Sequence, residues 1–420
     1  MGTIEIKQSR QNADVIVIGA GASGLMAANI LLKRGKKILL LEKKHQAGLK
    51  LRITGKGRCN VTNACEKAEY LSHISDKNFF KNAFESFDNR DLMHFFEQKG
   101  IELVVERGKR VFPKSGKSLD IFFALLKEIE QNPNVTFIKN CSVTSIIVQN
   151  GKAIGVKTTQ KCFYADNIIV ATGGKSYPRT GSNGDGYMLL RALNHTIIEP
   201  IPALVGLKTM DGYSYKLQNL GIKNCEIVVT NDKHEEITRH FGDITLMQYG
   251  VSGPVILTIS REIARRIHKK ERLFLTIDLK YRINKEKLYD EILQTFAQRR
   301  TENAASVLRK WFIKPLLEDV LQVCKINPQV SAYKLSQRDA KQLLWYMKNR
   351  RQKIVGLGGW DEAIITMGGV NLREIDDKTM QSKKVRNLYV VGELLDLDAD
   401  TGGYNLQIAF STAHLAAQSI

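Results

Sequence analysis

Three glycines near the amino terminus are spaced so that a phosphate group could approach the backbone. They form the pattern Gly19-x-Gly21-x-x-Gly24, between a β-branched run, 14–18, and an apolar stretch with helical periodicity, 25–32. In such a strand–turn–helix unit the first glycine permits a tight turn, the second leaves room for a pyrophosphate, and the third lets helix and strand pack closely. The pattern therefore predicts a dinucleotide-binding turn.

An acidic residue follows at the distance that such a turn requires. A second apolar run, 37–41, ends in Glu42, 18 residues after Gly24. A carboxylate there accepts hydrogen bonds from ribose hydroxyls and repels a 2′-phosphate, so we expect the tightly held nucleotide to be FAD or NAD and not NADP. Ala22 and Ser23, at the start of the helix, should offer N–H groups to the pyrophosphate.

The segment after Glu42 indicates which dinucleotide is held. Residues 43–60 form a cationic loop with glycines at intervals. Such a loop suits FAD, whose phosphates and ribityl chain extend past the point where NAD would turn away, although an ordinary basic surface loop has a similar composition. The cofactor contacts predicted from this loop are Lys43, Lys50, Arg52, Gly57, Arg58, Cys59 and Asn60.

Two later segments are predicted to return to the cofactor. In one, the apolar run 166–170 ends in small residues, where backbone can pass close to FAD. In the other, 387–391 leads to a glycine, and a second glycine pair opens a helix at about 407–417. The free N–H groups at that helix start suit the side of the isoalloxazine where negative charge collects on reduction. The predicted contacts are Ala171, Thr172, Gly173, Gly392, Glu393, Asp396, Gly403, Asn405 and Leu406.

Candidate catalytic residues are few, because a flavin carries the electron chemistry itself. The protein needs only to bind and orient the cofactor and substrate and to exclude competing reactions. Tyr177, in the loop after 166–173, could donate a proton, and Cys59 is expected near the ring. Cys59 and Cys65 have five residues between them, one more than the C-x4-C pair of disulfide reductases, so a redox-active pair is not favoured. With no second glycine-rich dinucleotide turn, NAD(P)H would bind as a transient reductant or not at all. No metal site is predicted.

Composition places the chain among globular proteins. Its 420 residues exceed one ordinary core, and 43% hydrophobic and 25% charged residues are usual values. Six cysteines at irregular spacings predict reduced thiols and a cytoplasmic location. The uncharged stretch 15–32 contains the three glycines of the first turn, so a strand, turn and helix explain it better than a membrane span.

The net charge of +20, from 63 Lys and Arg against 43 Asp and Glu, would suit RNA or another anionic partner. The basic residues, however, are spread along the whole chain and form neither a tail nor a single run. General basicity, partly serving phosphate groups, is therefore favoured. We expect a small-molecule substrate and do not favour nucleic acid as a partner; the sequence leaves the oligomeric state open.

Periodicity predicts an α/β fold in which an FAD-binding domain is interrupted by an inserted domain. The first part of the FAD-binding domain is expected at 1–198, the insert at 199–352 and the returning part at 353–420. Within the insert, 199–282 shows short strand-like runs, and 283–352 shows helical periodicity.

The chain between the first two FAD segments is predicted from shorter patterns. Residues from about 79 to 126 predict two helices around a hairpin, and apolar runs between 135 and 157 predict a small antiparallel sheet. In a flavoprotein of this design, Val143 would reach the adenine through its backbone.

Several motifs together resemble the family that contains bacterial aminoacetone oxidase and a bile-acid-pathway flavin reductase. They are ITGKGRCNVTN at 53–63, GVSGP at 250–254, TMGGV at 366–370, GELLD at 392–396 and GGYNL at 402–406. The resemblance spans nearly the whole chain and implies a glutathione-reductase-like FAD-binding domain with a parallel sheet, interrupted by a β-barrel and helical insert. The chain departs from the family pattern at Met247-Gln248, where a Thr-His pair is expected. If that histidine assists chemistry in the relatives, the substrate assignment that the resemblance implies does not carry over.

These observations predict an FAD-dependent oxidoreductase acting on a small organic substrate. It would be either a reductase of a C=C bond fed by NAD(P)H or an amine oxidase that uses oxygen. Two alternatives remain open: an RNA-modifying flavoprotein that binds tRNA through its basic surface, and a flavin-binding protein without turnover.

Overall fold

The computed structural model describes residues 13–420 and divides them into two compact units. The first unit consists of the chain up to residue 202 together with 360–420, and the second unit is 203–359. None of the helices described within 13–420 is long and apolar enough to cross a membrane.

Eighteen strands and thirteen α-helices make up the described chain. The strands are β1 Ala13–Ile18, β2 Ile38–Leu41, β3 Thr62–Asn63, β4 Leu103–Glu106, β5 Arg110–Pro113, β6 Val135–Ile138, β7 Val143–Gln149, β8 Lys152–Thr158, β9 Cys162–Val170, β10 Ile197–Ala203, β11 Leu207–Thr209, β12 Leu220–Asn231, β13 Glu236–Met247, β14 Gly250–Ser252, β15 Leu273–Asp278, β16 Arg350–Leu357, β17 Ile365–Val370 and β18 Leu388–Val390. The helices are α1 Ala22–Lys33, α2 Leu49–Gly57, α3 Lys67–Ser72, α4 Lys77–Ser86, α5 Asn89–Gln98, α6 Ser118–Gln131, α7 Asp185–Arg191, α8 Pro254–His268, α9 Lys285–Gln298, α10 Ala304–Leu308, α11 Lys314–Val323, α12 Gln337–Lys348 and α13 Tyr404–Gln418.

A parallel sheet forms the core of the first unit. Its strands run in the order β6-β2-β1-β9-β18, all parallel. Strand β2 is buried along its whole length, and β1 is buried over its last four residues. This fits the continuous apolar runs of strands that are covered on both faces. Because the carboxyl ends of parallel strands meet at one edge, the segments that follow β1, β2, β9 and β18 are brought together there.

A small antiparallel sheet continues from the same core. Strand β9 pairs with β8 through its first residues and with β1 and β18 through its last ones, and β8 pairs with β7. The sequence-based assignment of 135–138 to this antiparallel sheet is wrong, because β6 lies at the parallel edge beside β2. A short apolar strand does not by itself specify its partner.

The second unit is built around a closed six-stranded barrel with the order β11-β14-β13-β12-β15-β16. Helices α9–α12 follow β15, in the region where helical periodicity was predicted. Two expectations need correction. The region predicted as β-rich contains the 15-residue helix α8, and residues 354–356 lie in β16 of the barrel instead of returning to the first unit.

The observed unit boundaries differ from the predicted domain limits because of the pairing of two strands, β16 and β10. Strand β16 closes the barrel, which extends the second unit to residue 359. Strand β10 pairs with β17, which keeps residues up to 202 in the first unit.

A half-buried histidine makes the stability of the first unit depend on pH. His414 stacks on Phe87 with ring centroids 4.5 Å apart, and burial lowers its pKa to about 4. In the unfolded chain this imidazole takes up a proton near its ordinary pKa of about 6.5, so acid favours unfolding between the two values. We expect the free energy of unfolding to fall by about 1–2 kcal/mol between pH 7 and pH 5.

Denaturant titrations at the two pH values measure this loss. His414→Gln, which cannot take up a proton, should show a smaller difference between pH 7 and pH 5 than the unmodified chain. An equal difference in both proteins would mean that His414 does not carry the effect.

Candidate cofactor site

The predicted glycine turn joins β1 to α1, and its three glycines meet different surroundings. Gly19 has a φ of +99°, and a Cβ placed there would lie 2.7 Å from the carbonyl oxygen of Ala171. A Cβ on Gly24 would lie 1.8 Å from the carbonyl oxygen of Gly19. A Cβ on Gly21, in contrast, would meet no protein atom within 4 Å. The fold itself therefore requires Gly19 and Gly24, whereas Gly21 borders open space of the kind that a pyrophosphate needs.

Glu42 is held at the end of β2 by two backbone donors. Its Oε2 accepts a hydrogen bond from the N–H of Ala20 at 2.9 Å, and its Oε1 accepts one from the N–H of Lys44 at 2.8 Å. The carboxylate is thus fixed beside the glycine turn, and each oxygen retains lone pairs that can accept from ribose hydroxyls.

The segment predicted at the adenine runs along this same strand end. The N–H of Cys141 donates to the carbonyl oxygen of Glu42 at 2.9 Å, and β7 begins two residues later at Val143. Val143 therefore lies two residues after Cys141, whose backbone contacts Glu42.

Four helices of the first unit begin at glycines without any side-chain cap. These N-cap residues are Gly21 for α1, Gly48 for α2, Gly184 for α7 and Gly403 for α13. The first turns of α1, α2 and α13 carry no acidic residue, whereas that of α7 carries Asp185. The N–H of Gly48 donates to the carbonyl oxygen of Ala20 at 2.9 Å, which places the start of α2 beside the start of α1. Uncapped N–H groups at helix starts attract anions and partial negative charge.

The two glycine turns predicted at opposite ends of the chain touch each other. Gly392 follows β18 with a φ of +70°, and a Cβ there would lie 2.1 Å from Oγ of Ser23 in the first turn of α1. Its N–H donates to Oγ1 of Thr412 in α13 at 3.0 Å. Gly403 packs as tightly on β3, since its Cβ would lie 2.4 Å from the carbonyl oxygen of Thr62. Both turns therefore need glycine for close packing.

A polar group that we call the Glu393 cluster joins four segments of the first unit. It consists of Lys50, Ser176, Thr366 and Glu393. Glu393 accepts from Lys50 Nζ at 2.5 Å, from Ser176 Oγ at 3.1 Å and from the N–H of Thr366 at 2.8 Å. Lys50 also donates to Ser176, and Thr366 Oγ1 accepts from the N–H groups of residues 175 and 176. The Lys50 and Glu393 side chains are only 24% and 21% exposed.

Two members of this cluster were missed by the sequence analysis. Ser176 precedes the predicted proton donor Tyr177 but was not itself predicted as a contact, and Thr366 begins the TMGGV motif, to which no site residue was assigned. The only sequence signal for Thr366 was the TMGGV motif itself. Its strand, β17, is buried throughout.

Several residues predicted as cofactor ligands also make contacts within the protein. Lys43 pairs with Asp185 at 2.5 Å, Arg52 donates to Gln46 at 2.8 Å, and Arg58 bonds Glu106 while lying over the Phe112 ring. Asn405 closes the loop before α13 by bonding both backbone groups of Ala399 at 2.9 Å. The N–H of Asp396 bonds the carbonyl oxygen of Val370, and Gly57 takes a left-handed conformation with a φ of +84°.

Two predicted ligands have a buried side-chain oxygen without a partner among the described residues. Asn60 Oδ1 and Thr172 Oγ1 are buried and have no hydrogen-bond partner within residues 13–420. A buried polar atom without a partner is costly and points to a missing partner. Together with the open space at Gly21 and the uncapped helix starts, these atoms show that the residues present fit a bound dinucleotide.

The two predicted catalytic residues differ in what they can do. Tyr177 has a left-handed φ of 52°, is half-buried, and has a pKa raised by burial and by Glu362. Its hydroxyl is protonated at neutral pH, as that of an ordinary tyrosine is, and the raised pKa makes it a weaker acid. Cys59 is fully buried, and burial raises the pKa of its thiol to about 12. Those are the properties of a structural thiol and not of a nucleophile.

Thiol labelling tests this difference between the cysteines. Of the six cysteines Cys162 alone is exposed, so we expect one fast-reacting thiol per chain with a small alkylating reagent at neutral pH. Cys162→Ser should remove the fast phase. Fast labelling that persists in this variant and maps to Cys59 would contradict a structural role for Cys59.

Comparison with known proteins places this fold in a family. The model of the HI0933-like protein Rossmann domain matches residues 13–419. The chain belongs to this family. The fold class and the enzyme class predicted from the sequence, an FAD-binding α/β fold and an FAD-dependent oxidoreductase, are confirmed at this level. The finer assignment to the aminoacetone oxidase type is not established by the match.

Curated relatives of the HI0933-like chain cover nearly its full length. A 3-dehydro-bile acid delta(4,6)-reductase of Clostridium scindens is 28% identical over 405 residues, covering 96% of this chain and 98% of its own. A ribosomal RNA dihydrouridine synthase of Escherichia coli is 28% identical over 416 residues, covering 97% and 98%. A protein of the same name from Haemophilus influenzae is 29% identical, covering 98% and 99%.

Solved structures share the fold at low identity. A 3-ketosteroid-delta4-(5alpha)-dehydrogenase from Rhodococcus jostii has a TM-score of 0.51 at 13% identity, covering 99% of this chain and 98% of its own. The Escherichia coli quinol fumarate reductase subunit FrdA has a TM-score of 0.50 at 15% identity, covering 98% of this chain and 70% of its own. Likeness at this level concerns the fold.

Proposed function

We propose that this protein is an FAD-dependent reductase of a C=C bond conjugated to a carbonyl group. The observation that carries the cofactor is the open space at Gly21, between the uncapped starts of α1 and α2. The reaction class is supported by the names of full-length relatives, since a delta(4,6)-reductase and a dihydrouridine synthase both saturate a C=C bond.

The residues of the first unit divide the binding of FAD among them. The N–H groups at the starts of α1 and α2 would hold the pyrophosphate, and Glu42 the adenosine ribose. The start of α13 would face the flavin, where its N–H groups favour negative charge. Asn60 and Thr172 each offer a buried oxygen without a partner. When bound, FAD supplies the hydride chemistry that carries electrons from a nicotinamide to the double bond.

Protonation of the substrate falls to the protein side chains. Saturating a conjugated C=C bond adds a hydride at one carbon and a proton at the other. Tyr177 is the sequence-predicted donor, since a tyrosine hydroxyl is protonated at neutral pH.

The substrate that we favour is a uracil base within RNA. Its C=C bond is conjugated to a carbonyl, two relatives that match nearly the whole chain are named ribosomal RNA dihydrouridine synthases, and a net charge of +20 suits a polyanion. This departs from the sequence-based expectation, which does not favour nucleic acid as a partner. A small 3-oxo-4-ene steroid is the second candidate, supported by the name of the Clostridium scindens relative.

An anaerobic reduction experiment tests the reaction class. Purified holoprotein is mixed with NADH or NADPH, and the visible absorbance of the flavin is followed. We expect bleaching by a nicotinamide, followed by reoxidation on addition of either an RNA that contains uridine or a 3-oxo-4-ene steroid. Bleaching by amines alone, or reoxidation by oxygen but by neither type of conjugated compound, would contradict the proposal. Mass spectrometry of RNA nucleosides then shows whether uridine has gained two hydrogens.

A further inference from the structure

The outward side of helix α12, in the second unit, combines basic and aromatic side chains. Five of its residues line a surface depression of about 510 Å³; they are Gln337, Arg338, Lys341, Gln342 and Trp345. We call this surface the α12 face. Four of its members are polar or basic, and the fifth is a tryptophan.

Trp345 is not needed for the core of its own unit. The opposite side of α12 is buried through Ala340, Leu343, Tyr346 and Met347, whereas Trp345 remains 42% exposed. Tryptophan is enriched at interfaces, because its ring is apolar while its N–H can bond a partner or water. An indole flanked by cations is a platform on which a nucleic-acid base can stack.

The charge of the α12 face is not neutralised by its own helix. The single acid of α12, Asp339, is turned back to the helix start, where it accepts from the N–H and the hydroxyl of Ser336, each at 2.7 Å. Arg338 and Lys341 are exposed. Lys334, just before the helix, adds a further positive charge. Its Nζ lies 5.7 Å from the ring centroid of the exposed Tyr333.

The surrounding unit has the same bias. Residues 203–359 contain 28 of the 63 Lys and Arg of the chain but only 16 of its 43 Asp and Glu. The second unit therefore presents excess positive charge, and the α12 face adds an exposed aromatic ring to it.

We propose that the α12 face binds a single-stranded segment of RNA, with a base stacked on Trp345 and phosphates held by Arg338 and Lys341. The assignment rests on the proposed function for its choice of RNA, and on the structure for its location. A single strand is favoured over a duplex because only an unpaired base can stack on an indole.

Binding of a fluorescent oligouridine of about 20 nucleotides, followed by anisotropy over a salt series, tests the assignment. Arg338→Gln with Lys341→Gln should weaken binding by about 10-fold or more and lower the slope against log salt by about 1.4, which corresponds to two phosphate contacts. Trp345→Ala should weaken binding by about 5- to 100-fold and leave the slope unchanged, because stacking releases no counterions.

A matched control removes two exposed lysines elsewhere in the same unit, Lys233→Gln with Lys325→Gln. Equal losses in the control and in the α12 variants would overturn the assignment, as would unchanged binding in the α12 variants. Circular dichroism of each variant excludes misfolding. Bleaching of the flavin by a nicotinamide is measured in parallel and should be the same in all variants. Loss of RNA binding with unaltered bleaching supports the α12 face, whereas absence of bleaching in every protein would count against the proposed function alone.

Discussion

Gly21→Ala is expected to give a stably folded protein that no longer holds FAD well. A Cβ at this position meets no protein atom within 4 Å, and the backbone φ of −85° is accessible to alanine. The methyl group would, however, occupy space that the pyrophosphate needs. Crowding of this kind costs about 1–3 kcal/mol, so FAD affinity should fall by about 10- to 100-fold. Titration of apoprotein with FAD, followed by flavin fluorescence, measures this loss.

Gly24→Ala provides the contrasting variant within the same turn. Its Cβ would lie 1.8 Å from a backbone oxygen, so the turn itself must shift. We expect the apoprotein to lose about 3 kcal/mol or more of unfolding free energy. Denaturant titration of both apoproteins separates the two roles. If Gly21→Ala destabilised the apoprotein as much as Gly24→Ala, or bound FAD normally, the assignment of Gly21 to the pyrophosphate would be wrong.

Glu393→Gln is expected to lower both the free energy of unfolding and the affinity for FAD. The carboxylate accepts hydrogen bonds from Lys50, Ser176 and Thr366, and thereby joins segments that follow three strands of the sheet. The amide keeps the shape but leaves the ammonium of Lys50 without its counter-charge. Hydrogen bonds to charged groups contribute about 1.5–3 kcal/mol, and the partial exposure of this pair places the expected loss of unfolding free energy at about 1–2 kcal/mol.

A second ion pair serves as the control for Glu393→Gln. Glu85 pairs with Lys67 at 2.5 Å, but the two side chains are 42% and 52% exposed, and such surface pairs contribute little. Glu85→Gln should therefore change neither stability nor FAD affinity measurably. A double-mutant cycle with Lys50→Met isolates the coupling between Lys50 and Glu393. A coupling close to zero would contradict the role given to the Glu393 cluster.

The glycine turns could be predicted from sequence because their constraints are local. Gly19, Gly21 and Gly24 lie between a strand and a helix that each have a clear period, and Glu42 ends the next strand. The return of the second glycine segment to the first is not local, yet it was predicted, because Gly392 follows a strand and Gly403 opens a helix. The close approach of Gly392 to Ser23 gives this prediction its physical basis.

Other features depend on contacts that a single sequence does not specify. Lys43 lies 142 residues from Asp185, and Arg58 lies 48 residues from Glu106, so neither cation could be recognised as already paired. Strand β16 was assigned to the wrong unit because closure of a barrel depends on a partner distant in sequence, here β11.

Helix α8 is a different case, because its signal was present and was not used. Pro254 stands in the first turn, and Ile256, Ile259 and Ile263 recur at helical spacing on the buried side.

The most direct test of the account is the structure of the protein crystallised with FAD. We predict that the pyrophosphate lies over Gly21 at the starts of α1 and α2, that Glu42 accepts from the adenosine ribose, and that the start of α13 faces the flavin. FAD bound elsewhere, or a pyrophosphate distant from Gly21 with Glu42 away from any ribose, would contradict the account.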